Sequence, residues 1–363
     1  MSHGRDIVVH DAFRFRGGGE RVALTLCREL GLDLAYGYRA AADRPPDHIP
    51  GIRSYDLRSY ARFNIPIVGT ASQIRRFRRN TGFLADYRNV IYSGTEALFA
   101  VANHRHGKNI YYCHTPPRFM YDLREHYFSR LPAWRRALLT AHIAYARPRY
   151  EESIRRMDVV VANSVNVQQR LRRYLGVESV VIHPPCGMEG LRWLGQDDYY
   201  LSVARLDPLK RVDVIVEAFK NMPHRKLVVT STGGEAARLR RMARGSGNIV
   251  FTGLVSDLRL AELIGRAIAT IYIPIDEDFG ISPVESMVAG KPVIGCAAGG
   301  LLETVVDGVT GRLLPVDVTP GHIIEAVVEM TPPRAMMMRD DCMERARFFD
   351  TQTFCAKMAE LLA

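Results

Sequence analysis

The stretch ATIYIPIDEDFGISPVESMVAG, residues 269–290, decides the fold. It opens on ATIYI (269–273), a short run rich in β-branched and aromatic residues that predicts a buried strand. It closes on 281–289, which predicts a helix. Between them lies a tight acidic turn, Asp276-Glu277-Asp278-Phe279-Gly280. Strand, turn and helix in this order make half of a βαβ unit, and a chain built from such units forms a parallel sheet covered by helices.

The same alternation runs through nearly the whole chain. Before residue 188 the predicted strands are IVVH (7–10), the stretches around Leu34–Tyr36 and Val90–Tyr92, NIYY (109–112) and VVVA (159–162). After it they are YYLSVA (199–204), LVVT (227–230), IVFTG (249–253), ATIYI and PVIGC (292–296). The intervening IHPPCGMEGLRWLGQDD carries paired prolines that restrict the backbone, and glycines and polar residues that suit a linker. The expectation is an α/β protein of two doubly wound parallel-sheet domains, 1–188 and 189–345, with a C-terminal helix over 346–363 packing back on the first domain.

With 363 residues, 47% apolar and 24% charged, the chain has ample apolar surface for two cores, which excludes disordered and fibrous classes. No run of about 18 apolar residues and no leader-like start is present, so a cytoplasmic location is expected. The six cysteines contain no Cys-x-x-Cys pair, which argues against a zinc site or a disulfide framework. Residues 1–190 hold 29 Lys and Arg against 17 Asp and Glu, a net of +12, whereas 191–363 hold 20 against 22, a net of −2. The basic half suits a solvated face or an anionic membrane surface; a nucleic-acid partner is a further reading of the same charge.

Three loops of the second half carry candidate chemistry. At the acidic turn, the start of the 281–289 helix offers backbone N–H groups to a phosphate beside Gly280 and Ile281, while Glu277 and Glu285 can accept hydrogen bonds from hydroxyls. Local physics also allows Ser282-x-x-Glu285 with Pro283 to be a capping box. The loop Arg205-Leu206-Asp207-Pro208-Leu209-Lys210-Arg211 follows a predicted strand, and Arg205 with Lys210 could neutralise a diphosphate there. The third loop holds Gly299-Gly300. Asp276-x-Asp278 resembles an acidic metal pair, but Arg205 and Lys210 can supply the charge, so no metal is expected. In the first half, Gly17-Gly18-Gly19-Glu20 opens a helix and can approach an anion closely, and His114 in HTPPR stands at a strand end. Asn163-Ser164 reads as a helix cap.

Taken together, Gly17-Gly18-Gly19-Glu20, His114, Asn163-Ser164, Arg205 with Lys210, and Glu277 with Glu285, separated by seven residues, resemble the retaining glycosyltransferases of family 4. The resemblance implies the GT-B fold, two Rossmann-like domains facing across a cleft, with the acceptor on the first and a nucleotide-sugar donor on the second. It implies that Glu285 binds the ribose and Glu277 the donor sugar, with backbone from Phe279, Gly280 and Ile281 against sugar and phosphate. Arg205 and Lys210 would stabilise the departing nucleoside diphosphate, His114 would lie near the sugar, and Gly18 and Gly19 would close over the donor. No cofactor or metal is implied. HTPPRFMYD and ARLDPLKRVD look most like the subgroup that assembles bacterial surface polysaccharides. That likeness favours GDP-mannose as donor and a glycan or polyprenyl-diphosphate-linked acceptor, with a UDP-sugar glucosyl or N-acetylhexosaminyl transferase as the alternative. A non-catalytic anion- or nucleic-acid-binding protein is the rival from another class. Ser231-Thr232-Gly233-Gly234 stands where the family more usually has a Gly-Asp-Gly turn.

Overall fold

The computed structural model describes residues 4–13, 17–39, 49–58 and 66–363. The chain forms two compact units, Met1–Pro184 with Thr351–Ala363, and Pro185–Asp350. Each is built on one parallel sheet, the arrangement that the near-continuous apolar strands require, because strands buried on both faces need helices on both sides.

Among the described residues the first sheet has seven strands: β1 (Ile7–His10), β2 (Asp33–Tyr36), β3 (Ser54–Asp56), β4 (Val90–Ser93), β5 (Asn109–Cys113), β6 (Val159–Ala162) and β7 (Val180–Val181). Their order is β3-β2-β1-β4-β5-β6-β7. Every residue of β1, β2, β4 and β5 is buried. Helix Gly18–Leu30 ends at Gly31, whose left-handed φ of 67° terminates it. Ser164 caps helix Val165–Leu175 by accepting from the Val167 N–H at 3.0 Å, as the sequence suggests. Helix Thr351–Leu362 packs Phe354, Cys355, Met358 and Leu362 into the same core as Val22 and Leu26. Asn89 ties it down by donating to the Leu362 carbonyl at 2.9 Å.

The second sheet has six strands: β8 (Tyr200–Ser202), β9 (Leu227–Thr230), β10 (Ile249–Gly253), β11 (Thr270–Tyr272), β12 (Val293–Cys296) and β13 (Gly311–Leu314), in the order β10-β9-β8-β11-β12-β13. Three strands escape the sequence reading: β3, β7 and β13. All lie at sheet edges, where half-exposed residues such as Ser54, Val180 and Arg312 leave no apolar run to read. Among the described residues no helix is long and apolar enough to cross a membrane.

The Ser231–Gly234 turn follows β9. Ser231 holds a φ of 89°, a left-handed conformation that costs an L residue roughly 1–2 kcal/mol. Gly233 lies so close to the Arg205 loop that a Cβ there would fall 2.1 Å from the Leu206 carbonyl oxygen. The glycine is therefore needed for packing, while Ser231 stores strain. Ser231→Gly is expected to stabilise the protein by about 0.5–1 kcal/mol once the freer unfolded chain is counted. Urea unfolding tests this, and an unchanged or lower midpoint would show that the serine is not strained.

Candidate active site

In a doubly wound sheet the strand order reverses at one place, and the crevice beyond the carboxyl ends of the two strands there receives ligands. In the second unit those strands are β8 and β11. The Arg205–Arg211 loop follows β8, and the acidic turn follows β11. Asp207 shapes the first loop by accepting from the Leu209 N–H at 3.0 Å, which starts the short turn Pro208–Lys210. Arg211 then fastens it to β11: its Nε donates to the Ile273 carbonyl at 2.7 Å and its Nη2 to the Pro274 carbonyl at 3.2 Å. The Ile275 N–H reaches back to the Leu209 carbonyl at 2.7 Å. Sequence reasoning missed Arg211, because its partners are backbone carbonyls 62 to 105 positions away.

These anchors bring Lys210 and Glu277 together. The Lys210 Nζ donates to Glu277 Oε2 at 2.5 Å and to the Tyr272 hydroxyl at 3.0 Å. Both charged side chains are largely enclosed, 19% and 16% exposed. Burial pulls the Lys210 ammonium down, yet Tyr272 and Glu277 outweigh it and hold the ammonium above its ordinary range. Burial and then Glu277 push the Tyr272 phenol up. The result is a fixed cation beside a fixed carboxylate at the crevice-forming position of the sheet. Tyr272, the last residue of β11, is a second partner that the sequence reading did not single out.

The acidic turn is set by backbone close approach. Asp276 takes a left-handed φ of 46° and Gly280 one of 92°. Gly280 is the N-cap of helix Ile281–Val288 and supplies no side-chain bond. The capping-box expectation is thereby corrected: a glycine able to turn the chain starts the helix before Ser282. Ser282 lies inside it, where its carbonyl accepts from the Ser286 hydroxyl at 2.9 Å. Glu285 is buried, 4% exposed. Gly299 and Gly300 press against the turn. The Gly300 N–H donates to the Glu277 carbonyl at 2.8 Å, and a Cβ on Gly299 would sit 2.3 Å from that same oxygen. Phe279 is buried with its ring 5.4 Å from that of Phe349, so it anchors the turn in the core. Arg205 lies on the exposed side of its loop, 3.8 Å from Asp207.

In the first unit the reversal falls between β1 and β4. Gly18 and Gly19 begin helix Gly18–Leu30 beside it, and a Cβ on Gly19 would meet the His114 imidazole at 3.4 Å. His114 follows β5, and its Nε2 lies 2.9 Å from the Ser93 hydroxyl. The structure thus joins Gly19 with His114, and Lys210 with Glu277, each pair within its own unit.

Two Rossmann-like parallel sheets, one carrying a lysine–glutamate pair at its reversal point, define a GT-B type of protein. Residues 188–347 match the family model of the glycosyl transferases group 1. D-inositol 3-phosphate glycosyltransferase 2 of Catenulispora acidiphila is 31% identical over 179 residues, 44% of this chain and 42% of that protein. The alpha-1,3/1,6-mannosyltransferase ALG2 of Dictyostelium discoideum is 46% identical over 65 residues, 18% of this chain and 16% of that protein. The matches therefore span less than half the length of these curated relatives. The structure of Anabaena Alr3699/HepE in complex with UDP and glucose aligns over 99% of both chains with a TM-score of 0.73 at 16% identity, which establishes the shared fold.

Two outcomes follow from this geometry. Gly299→Ala should displace the Glu277 backbone and, on the role proposed for Glu277 below, lower turnover by about 100-fold, as a misplacement of about 1 Å does elsewhere. Steady-state kinetics with a circular-dichroism melt checks this, and near-normal turnover would free Gly299 from the role. Burial, and for His10 the neighbouring His114, depress His10 to about 3 and His114 to about 4. An unfolded histidine takes its proton near 6.5, so stability is fully present above that pH and falls as pH drops toward 4. Denaturant midpoints at pH 7 and pH 5 should differ in that direction, and equal midpoints would overturn it.

Proposed function

We propose that the protein is a retaining glycosyltransferase that moves a hexose from a nucleoside-diphosphate sugar to a glycan acceptor. The observation that carries this reading is the contact between Lys210 and Glu277 at the reversal point of the second sheet. Breaking the sugar C1–O bond sends its electron pair to the diphosphate, so the leaving group gains charge as the sugar becomes cation-like. A preorganised cation lowers the barrier by meeting that charge without reorganising. Lys210 and Arg205 serve the diphosphate, Glu277 accepts hydroxyls of the sugar, and backbone from Phe279, Gly280 and Ile281 meets sugar and phosphate. Glu285 holds the ribose, with Gly18, Gly19 and His114 on the first unit. The acceptor oxygen bonds to C1 on the face the phosphate leaves, and its proton passes to the departing phosphate.

GDP-mannose is the favoured donor, supported by the subgroup likeness of HTPPRFMYD and by the local match to a mannosyltransferase. A UDP-hexose is the second reading. A fold neighbour solved with UDP and glucose favours it. The acceptor is a glycan or a polyprenyl-diphosphate-linked glycan, whose negative charge suits the +12 of residues 1–190.

Thermal protection by a panel of GDP- and UDP-sugars, followed by product analysis, separates the donors. Protection by GDP-mannose alone is the expected result, and protection by UDP-sugars alone would replace it with the second reading. Lys210→Ala and Arg205→Ala should each cost about 100-fold or more in turnover, as removal of a preorganised donor does elsewhere. Near-normal turnover in both would remove the leaving-group role. Lys210→Ala also leaves Glu277 without its cation, so its melting temperature is measured alongside.

A further inference from the structure

Strands β1, β4 and β5 are adjacent, and each reaches the carboxyl edge of the first sheet with a polar residue after an apolar run. The register makes His10 the partner of Ser93, and Ser93 the partner of Tyr112. His114 stands two residues beyond Tyr112, so the period of two returns it to the same side as Ser93 and His10. The geometry follows: the His10 Nδ1 lies 3.1 Å from the Ser93 hydroxyl, and that hydroxyl lies 2.9 Å from the His114 Nε2.

Ser93 is fully buried and His10 is 4% exposed. Packing does not call for them. An apolar pair in their place would avoid desolvating a hydroxyl and an imidazole, which is costly unless every group is satisfied. The surroundings are tight, with the Phe13 ring 5.1 Å from His10, the Tyr112 ring 5.2 Å from His114, and Gly19 against the imidazole of His114. A serine hydroxyl has one proton, which it can donate to one ring nitrogen while accepting from the other. The tautomers of the two histidines are therefore coupled: if one ring accepts from Ser93, the other must donate to it.

We infer that Ser93 and His10 are positioning residues that hold His114 in a single tautomer and ring orientation toward the carboxyl edge of the sheet. This rests on the proposed reading that places His114 at the donor sugar. Neither residue touches substrate; both act through His114. The arrangement parallels the way a metal-bound or catalytic histidine is oriented by the partner of its other ring nitrogen, with a hydroxyl as the link.

The test uses the full chain labelled with ¹⁵N-histidine, with long-range ¹H–¹⁵N spectra giving the protonation of each ring nitrogen. His114 should show one neutral tautomer in the wild type, a shift toward averaged ring nitrogens in Ser93→Ala, and recovery in Ser93→Thr. His10→Asn, which retains a hydrogen-bonding group near the Nδ1 position, should disturb the His114 signals less than Ser93→Ala. In transfer assays Ser93→Ala should lower kcat about tenfold, the worth of one neutral hydrogen bond, with the donor KM within about twofold and recovery in Ser93→Thr. Unchanged His114 ring signals in a folded Ser93→Ala protein would overturn the inference, as would altered signals with full kcat. If the wild type transfers no sugar from any donor, the glycosyltransferase reading fails, while the ring-nitrogen spectra still judge the coupling.

Discussion

A lysine and a glutamate enclosed side by side at the reversal point of a parallel sheet form the constraint to which the rest of the second unit is fitted. Such a pair is a poor source of stability, because the desolvation of two charges consumes most of their attraction. Its surroundings are nevertheless elaborate. Arg211 binds the carbonyls just after β11, Asp207 fixes the start of the turn that carries Lys210, and Gly300 holds the carbonyl of Glu277. Asp276 accepts a left-handed backbone to aim the acidic turn. So much support for a contact of little net stability is understandable if the contact supplies a fixed electrostatic field for a reaction.

The first unit shows the same economy with neutral groups. Strands β1 and β4 are apolar until their last residue and β5 is apolar from Ile110 to Cys113, and at their ends His10, Ser93 and His114 appear side by side. Parallel sheets concentrate function there, since their hydrogen-bonded interiors tolerate little polarity while their carboxyl edges open to ligands. The two units thus place polar groups at corresponding positions, a charged pair in one and an imidazole chain in the other.

The asymmetry of charge adds to this division. The excess of basic residues lies entirely before residue 190, whereas the part after it is close to neutral. In the second unit several cations have defined partners, Lys210 with Glu277, Arg211 with carbonyls and Lys291 with the Gly195 carbonyl, while others such as Arg205, Arg240 and Arg241 lie exposed. The first unit carries many arginines on exposed faces, among them Arg124, Arg130, Arg135 and Arg136.

Much of this was legible in the sequence, because short apolar runs between amphipathic segments can satisfy their backbone and bury both faces only in parallel sheets. The central strands, the capped helix after Ser164 and the acidic turn before a helix all follow from that local pattern. The edge strands β3, β7 and β13 did not, since half-exposed strands lack the pattern. Nor did the N-cap at Gly280, where a positive φ displaced the capping box that Ser282 and Glu285 spell out. Tertiary structure alone decided which residues meet: Lys210 with Glu277 and Tyr272, Arg211 with the end of β11, and Ser93 between two histidines. Composition and periodicity specify which side of an element faces the core, but partners dozens of positions apart are chosen by strand order and register, and these exist only once the sheet has formed.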